Sequence, residues 1–228
     1  MQTGILIYII SYIAVFILSW VGHTNHSQRL VDDAGRITSK PGNLTGISLI
    51  SILWMGAVPA LFLKHPVVRF LTGTEIPAGW LLILFLVLFI LTVITAIKLS
   101  ENFIQSKYSI TEKGLSISPN FIYRYLFIRG LFLTAYELWF RGFLLFECIN
   151  WVGVPLAILI NVFFYTLLHI FNSKKEIWAC IPFGTLLCVL SIVFNAVWPA
   201  ILLHIAFSMI YEVNIYRHYT RSLKLTRA

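Results

Sequence analysis

The chain has 228 residues, of which 59% are hydrophobic and only 11% charged. A soluble domain carries about 25% charged residues, so the composition excludes an ordinary water-soluble protein and points to one bathed in lipid over most of its length. The net charge of +8 is carried by loops and by the tail YRHYTRSLKLTRA, which suits anionic lipid headgroups and requires no nucleic acid.

Seven apolar segments follow in chain order, over about 3–22, 46–63, 79–98, 121–149, 152–170, 176–194 and 197–216. A crossing helix needs about 20 apolar residues, and long runs in hydrocarbon pair their own backbone groups only as helices. Alternating strands of the barrel type are not seen. The expected fold is therefore all-α, a polytopic membrane bundle of about seven transmembrane helices. The first segment does not read as a signal peptide, because MQTGILIYII has no basic residue before its long apolar run. No linker or repeat divides the chain, so residues 1–228 read as one integral membrane domain. Cys148, Cys180 and Cys188 lie within or at the ends of apolar segments and read as packing residues rather than a disulfide or thiolate framework.

The loop charges set an orientation. One side carries only Lys64 and Arg69. The other carries Arg29, Arg36, Lys40, Lys98, Lys107, Lys113, Arg124, Lys174, Lys175, Arg217, Arg221, Lys224 and Arg227, while Arg129 and Arg141 stay inside the fourth segment. The positive-inside rule puts the rich side in the cytoplasm, with the N-terminus outside and the C-terminus inside.

Ionisable groups at bilayer depth cost at least about 2.5–3.5 kcal/mol each and face the bundle interior. Three pairs stand out: Glu137 with Arg141, Tyr165 with His169, and His204 with Ser208. Each is spaced i, i+4, which puts both members on one helix face. Asn161 extends the second stripe and Glu212 the third. Glu147 and Glu212, near segment ends, read as snorkelling to the interface, with a place in the pocket as the other reading of Glu212. At 1.5 Å per residue, Glu137 lies about 12 Å beyond Arg129, and the three stripes are expected to converge in the cytoplasmic half of the bilayer.

One carboxylate and two imidazoles in a wet pocket suit proton transfer and oxyanion stabilisation, hence peptide hydrolysis. The inventory excludes other intramembrane protease chemistries. The only aspartates, Asp32 and Asp33, are loop neighbours and form no two-helix dyad. Neither HExxH nor GxSxG occurs. A glutamate-based hydrolase remains, with zinc held by Glu137, His169 and His204 as a minor alternative. A proton-coupled transporter would also use buried Glu and His, but two matching halves with broken helices are not seen.

The stripes YELWFRG (136–142), YTLLH (165–169) and HIAFS (204–208) resemble the CPBP family, the CAAX prenyl proteases and bacteriocin-processing membrane proteins also called the ABI family. Its pattern is EExxxR with a following Gly, then FxxxH, then HxxxN. Glu176, Gly184 and the run WPAILLH (198–204) fit the same context, and the similarity covers about residues 120–212. The resemblance implies an intramembrane endopeptidase of the bacterial inner membrane, acting on membrane-associated peptides or proteins without a cofactor. Glu137, His169 and His204 take the catalytic places; Tyr136, Arg141, Tyr165 and Ser208 support them.

Three positions depart from the pattern: Tyr136 for the first Glu, Tyr165 for Phe, and Ser208 for Asn. In the family the first glutamate is the group assigned to activate water, and a phenol with a pKa of about 10 is a poor base. Two readings follow. In one, Glu137 activates water with Tyr136 as a proton donor beside it, Arg141 fixes Glu137, and the two histidines position the water and stabilise the intermediate. In the other, Glu137 only pairs with Arg141, and the chain is a catalytically weak or inactive protein that acts in bacteriocin immunity or as a binding protein.

Overall fold

The computed structural model describes residues 2–25, 29–31, 41–62, 67–106 and 119–225. Asp32, Asp33 and the cations Arg36, Lys40, Lys64, Lys107, Lys113 and Arg227 lie outside the described residues. Every described element is a helix: α1 Gln2–Thr24, α2 Pro41–Ile52, α3 Val58–Phe62, α4 Val67–Thr72, α5 Gly79–Ser106, α6 Pro119–Glu137, α7 Leu145–Val152, α8 Val154–Leu167, α9 Lys174–Phe194 and α10 Trp198–Leu225. Two π-helical segments, Leu53–Ala57 and Leu138–Leu144, join α2 to α3 and α6 to α7.

Five of these paths are long and apolar enough to cross a membrane, at Gly4–Thr24, Gly42–Phe62, Gly79–Ser106, Lys174–Val193 and Trp198–His218. The described parts of the seven apolar segments are mostly helical, but the expected count of seven spans stands against five helices of membrane length. The fourth segment is interrupted by charges and by the π-segment, and the fifth forms the shorter apolar helix Val154–Leu167. On α1 and α5 the large aliphatic side chains Ile9, Ile13, Ile83, Leu86 and Ile90 are exposed. Those faces suit lipid, which solvates apolar side chains as well as a protein core does.

The breaks follow from local chemistry. Gly153 takes φ +78°, a conformation that ends α7, and Pro155 stands in the first turn of α8, where a missing N–H costs nothing. Ser173 caps α9 by accepting the Glu176 N–H at 3.4 Å, the sequence signature S-x-x-E of a helix start. Asn195 closes α9 in the left-handed conformation at φ 47°, which Asn adopts more readily than other side chains.

Two cores result. One packs Tyr8 and Val15 of α1 and Met55 against Trp139, Phe140 and Phe143, with Tyr165 of α8 and Cys188 of α9. The other joins Leu81 of α5, Leu187 and Leu190 of α9, and Ala200 and Leu203 of α10. Helix α6 lies between α2 and α10, and a Cβ added at Gly56 would meet the Ala135 Cβ at 3.1 Å. In lipid, helices associate through close packing of small residues of this kind. Gly56→Val is therefore expected to lower stability by about 1–3 kcal/mol, whereas Gly46→Val, with open space around it, leaves it nearly unchanged. Thermal unfolding of the detergent-solubilised protein followed by tryptophan fluorescence measures the difference.

Candidate active site

Glu137 is the last residue of α6, and the π-segment Leu138–Leu144 begins beside it. At the end of that segment the Leu145 N–H bonds to the Phe140 carbonyl, five residues back. The same carbonyl accepts the Asn161 side-chain N–H of α8 at 2.5 Å, and Asn161 in turn accepts the Cys188 thiol of α9 at 3.3 Å. Asn161, read from the sequence as an extension of a stripe, is thus the clamp that ties this widened turn to α8. Insertions of this kind are frequent at functional sites.

Glu137 and Arg141 are both fully buried. The Arg141 Nε lies 3.2 Å from Glu137 Oε2. The guanidinium stacks 4.4 Å above the Tyr165 ring and reaches the Gly184 carbonyl at 3.5 Å. Gly184 makes room for this stack: a Cβ there would lie 3.0 Å from Tyr165 Cδ1 and 3.5 Å from Arg141 Nη2. The second oxygen of Glu137, Oε1, is 2.5 Å from Nδ1 of His204 on α10. The expected convergence of stripes on α6 and α10 is therefore a direct contact, across 67 residues of sequence.

His169 stands just beyond the end of α8, and its Nδ1 bonds to the Tyr165 carbonyl at 2.9 Å, one of the carbonyls a helix end leaves without a backbone partner. A carbonyl and a carboxylate only accept, so in each neutral imidazole Nδ1 carries the proton and Nε2 keeps a lone pair. Tyr136 is buried beside both rings, with centroids 6.5 Å from His169 and 5.8 Å from His204. Its hydroxyl has no hydrogen-bond partner. Tyr136 and Glu137 point about 100° apart around the helix, yet the site encloses both: Glu137 meets α10, and Tyr136 meets Tyr165 of α8 at 5.8 Å between ring centroids as well as His204.

Ser208 sits one turn along α10 from His204, in a second polar cluster. Its hydroxyl accepts from Arg129 Nη2 at 3.4 Å, Arg129 lies 3.6 Å from Glu212, and the Tyr125 hydroxyl donates to Glu212. Glu212 is buried in this cluster, which corrects its reading as a snorkelling residue: a cation and a phenol inside the bundle hold it there. The sequence places Arg129 inside the fourth segment without a partner and assigns Tyr125 no role; they precede Glu137 by eight and twelve residues on α6. Glu176 pairs with Arg29 and accepts from Asn172 at 2.9 Å. The three cysteines are buried and free. Among the described residues no group of three or more His, Cys, Asp or Glu side chains is placed to hold a metal ion, so Glu137, His169 and His204 do not form such a group.

Residues 118–210 match the family model described as "Rce1-like: Type II CAAX prenyl endopeptidase Rce1-like". This is a family of membrane endopeptidases within the CPBP group, and the matched stretch holds Tyr136, Glu137, Arg141, Tyr165, His169, His204 and Ser208. No curated protein and no solved structure matches the chain.

Removing one member of a buried ion pair leaves an uncompensated charge and costs about 3–5 kcal/mol, while replacing both by apolar residues is often neutral. Arg141→Leu is therefore expected to be strongly destabilised, with Glu137→Leu/Arg141→Leu recovering much of the loss. Unfolding midpoints of the two variants against the parent protein check this.

Proposed function

We propose that the chain is an intramembrane endopeptidase of the CPBP type, hydrolysing a peptide bond of a membrane-associated peptide or protein. The observation that carries the reading is the 2.5 Å contact between Glu137 and His204, which joins the first and third motifs around a buried site. Both oxygens of Glu137 face protein groups, Arg141 and His204. The geometry therefore favours Glu137 acting through His204 over a carboxylate that takes the proton from water itself.

In this mechanism His204 Nε2 removes a proton from water as the water oxygen bonds to the scissile carbonyl carbon. The carbonyl electron pair moves onto oxygen. When it returns, the C–N bond breaks, and His204 gives its proton to the departing amine. Glu137 fixes the tautomer and stabilises the imidazolium, the role a buried carboxylate plays behind a catalytic histidine. Arg141 holds Glu137 in place, and His169 presents a second acceptor nitrogen. The reaction needs no metal. The cationic C-terminal end of α10 lies against anionic headgroups on the cytoplasmic side of a bacterial inner membrane.

A second reading rests on Tyr136, which replaces the glutamate that the family pattern assigns to water: a chain that binds a membrane peptide, as in bacteriocin immunity, without cleaving it. Turnover separates the two. With purified protein in lipid nanodiscs and a library of membrane peptides, His204→Ala is expected to lower kcat by on the order of 10²–10⁴. Glu137→Gln lowers kcat with little change in KM, and a chelator leaves the rate unchanged. Peptide binding without cleavage by the parent protein supports the second reading. Full activity in Glu137→Gln rejects the mechanism.

A further inference from the structure

Peptide hydrolysis needs a hydrogen-bond donor for the oxyanion as well as a base, and the donors around Glu137 can be accounted for one by one. The His204 Nδ1–H is held by Glu137 and the His169 Nδ1–H by the Tyr165 carbonyl, so both imidazoles turn an acceptor nitrogen to any substrate. The Asn161 amide is held by the Phe140 carbonyl. Arg141 lies against Glu137, the Gly184 carbonyl and the face of Tyr165; its Nε and Nη1 have no hydrogen-bond partner, but the side chain is wholly enclosed and its charge is set against Glu137. The Ser208 hydroxyl, which accepts from Arg129, sits one turn along α10 from His204 in the cluster around Glu212. The Trp139 N–H also lacks a partner, but its ring packs on Tyr8 and Tyr12 of α1.

Of the two phenols at the site, Tyr136 and Tyr165, the Tyr136 hydroxyl is the one buried without a partner. Its side chain is 4% exposed, the oxygen is buried with no partner, and the ring touches both histidines. A buried hydroxyl left unpaired costs about 1–3 kcal/mol, and such a group in a native protein calls for a reason.

We propose that the Tyr136 phenol is the oxyanion donor of this site. The inference rests on the endopeptidase reading above. As the water oxygen bonds to carbon, the carbonyl electron pair moves onto oxygen and accepts the Tyr136 O–H. The phenol keeps its proton throughout, and the hydrogen bond relaxes when the pair returns and the C–N bond breaks. Tyr136 therefore replaces a base by a donor, and the proton transfers fall to imidazole.

Tyr136→Phe removes one oxygen atom and is expected to lower kcat by on the order of 10²–10³, the loss typical of one oxyanion donor. KM stays within about twofold, the pH dependence set by the histidine base stays in place, and the unfolding midpoint does not fall, because the hydroxyl has no bond to lose. A merely structural hydroxyl would move the midpoint and leave kcat alone. His204→Ala and Tyr165→Phe are measured in parallel. With His204→Ala inactive and Tyr136→Phe as fast as the parent, this inference fails while the endopeptidase reading stands. A loss confined to Tyr165→Phe assigns the donor to that ring and also overturns it. A parent protein that cleaves nothing in the peptide library sinks both.

Discussion

An ionised carboxylate inside a lipid-embedded bundle persists only where its charge is met by a cation and its lone pairs by donors. Glu137 meets the first through Arg141, 3.2 Å from Oε2, and the second at Oε1 through His204 from α10, while Oε2 has no hydrogen-bond partner. Much of the surrounding architecture follows from that demand. Arg141 needs a flat apolar support, which Tyr165 gives, and Tyr165 needs a neighbour without a side chain, which is Gly184. The charged pair thus recruits α6, α8, α9 and α10 to one point, where Gly184 of α9 lies directly against the Tyr165 ring of α8.

The π-segment is the backbone counterpart of the same constraint. An extra residue in a helical turn leaves a carbonyl poorly shared along the axis, and in hydrocarbon such a group has no water to fall back on. The Asn161 side chain meets it at the Phe140 oxygen and is itself held by Cys188. The widened turn therefore sits where two neighbouring helices offer polar side chains, and the aromatic side chains Trp139, Phe140 and Phe143 within it pack into the core around Tyr8 and Tyr165.

The helical class and the stripe carrying Glu137 and Arg141 were legible because each rests on a short-range rule: apolar length, or i, i+4 spacing. The contact from Glu137 to His204 was legible as a convergence but not as a bond, since spacing gives a face and not a partner. The π-segment was not legible, because LWFRGFL has no residue that breaks or widens a helix by its own preference. What selects the insertion is Asn161, far away in sequence. Tyr136 and Glu137 share one site for a related reason. A separation of 100° from Glu137 argues for different surroundings only if the site is flat, and this one wraps around α6, with α10 on one flank and α8 on the other.

The seam between α6 and α10 shows how a bundle carries polar groups without exposing them to lipid. The two helices run antiparallel, so Tyr125 and Arg129 meet Glu212 and Ser208 while Glu137 meets His204. Each rung pairs an acid with a cation, which keeps both rungs near neutral. Side-chain exposure falls from 18% at Arg129 and 9% at Glu212 to none at Glu137 and Arg141. The acid and the cation of the inner rung are wholly enclosed, while His204 keeps 11% of its side chain exposed, so the carboxylate lies where neither water nor lipid competes for it. A reactive imidazole at that inner rung is held by a partner that no solvent can replace, which is the condition under which a single hydrogen bond fixes a tautomer.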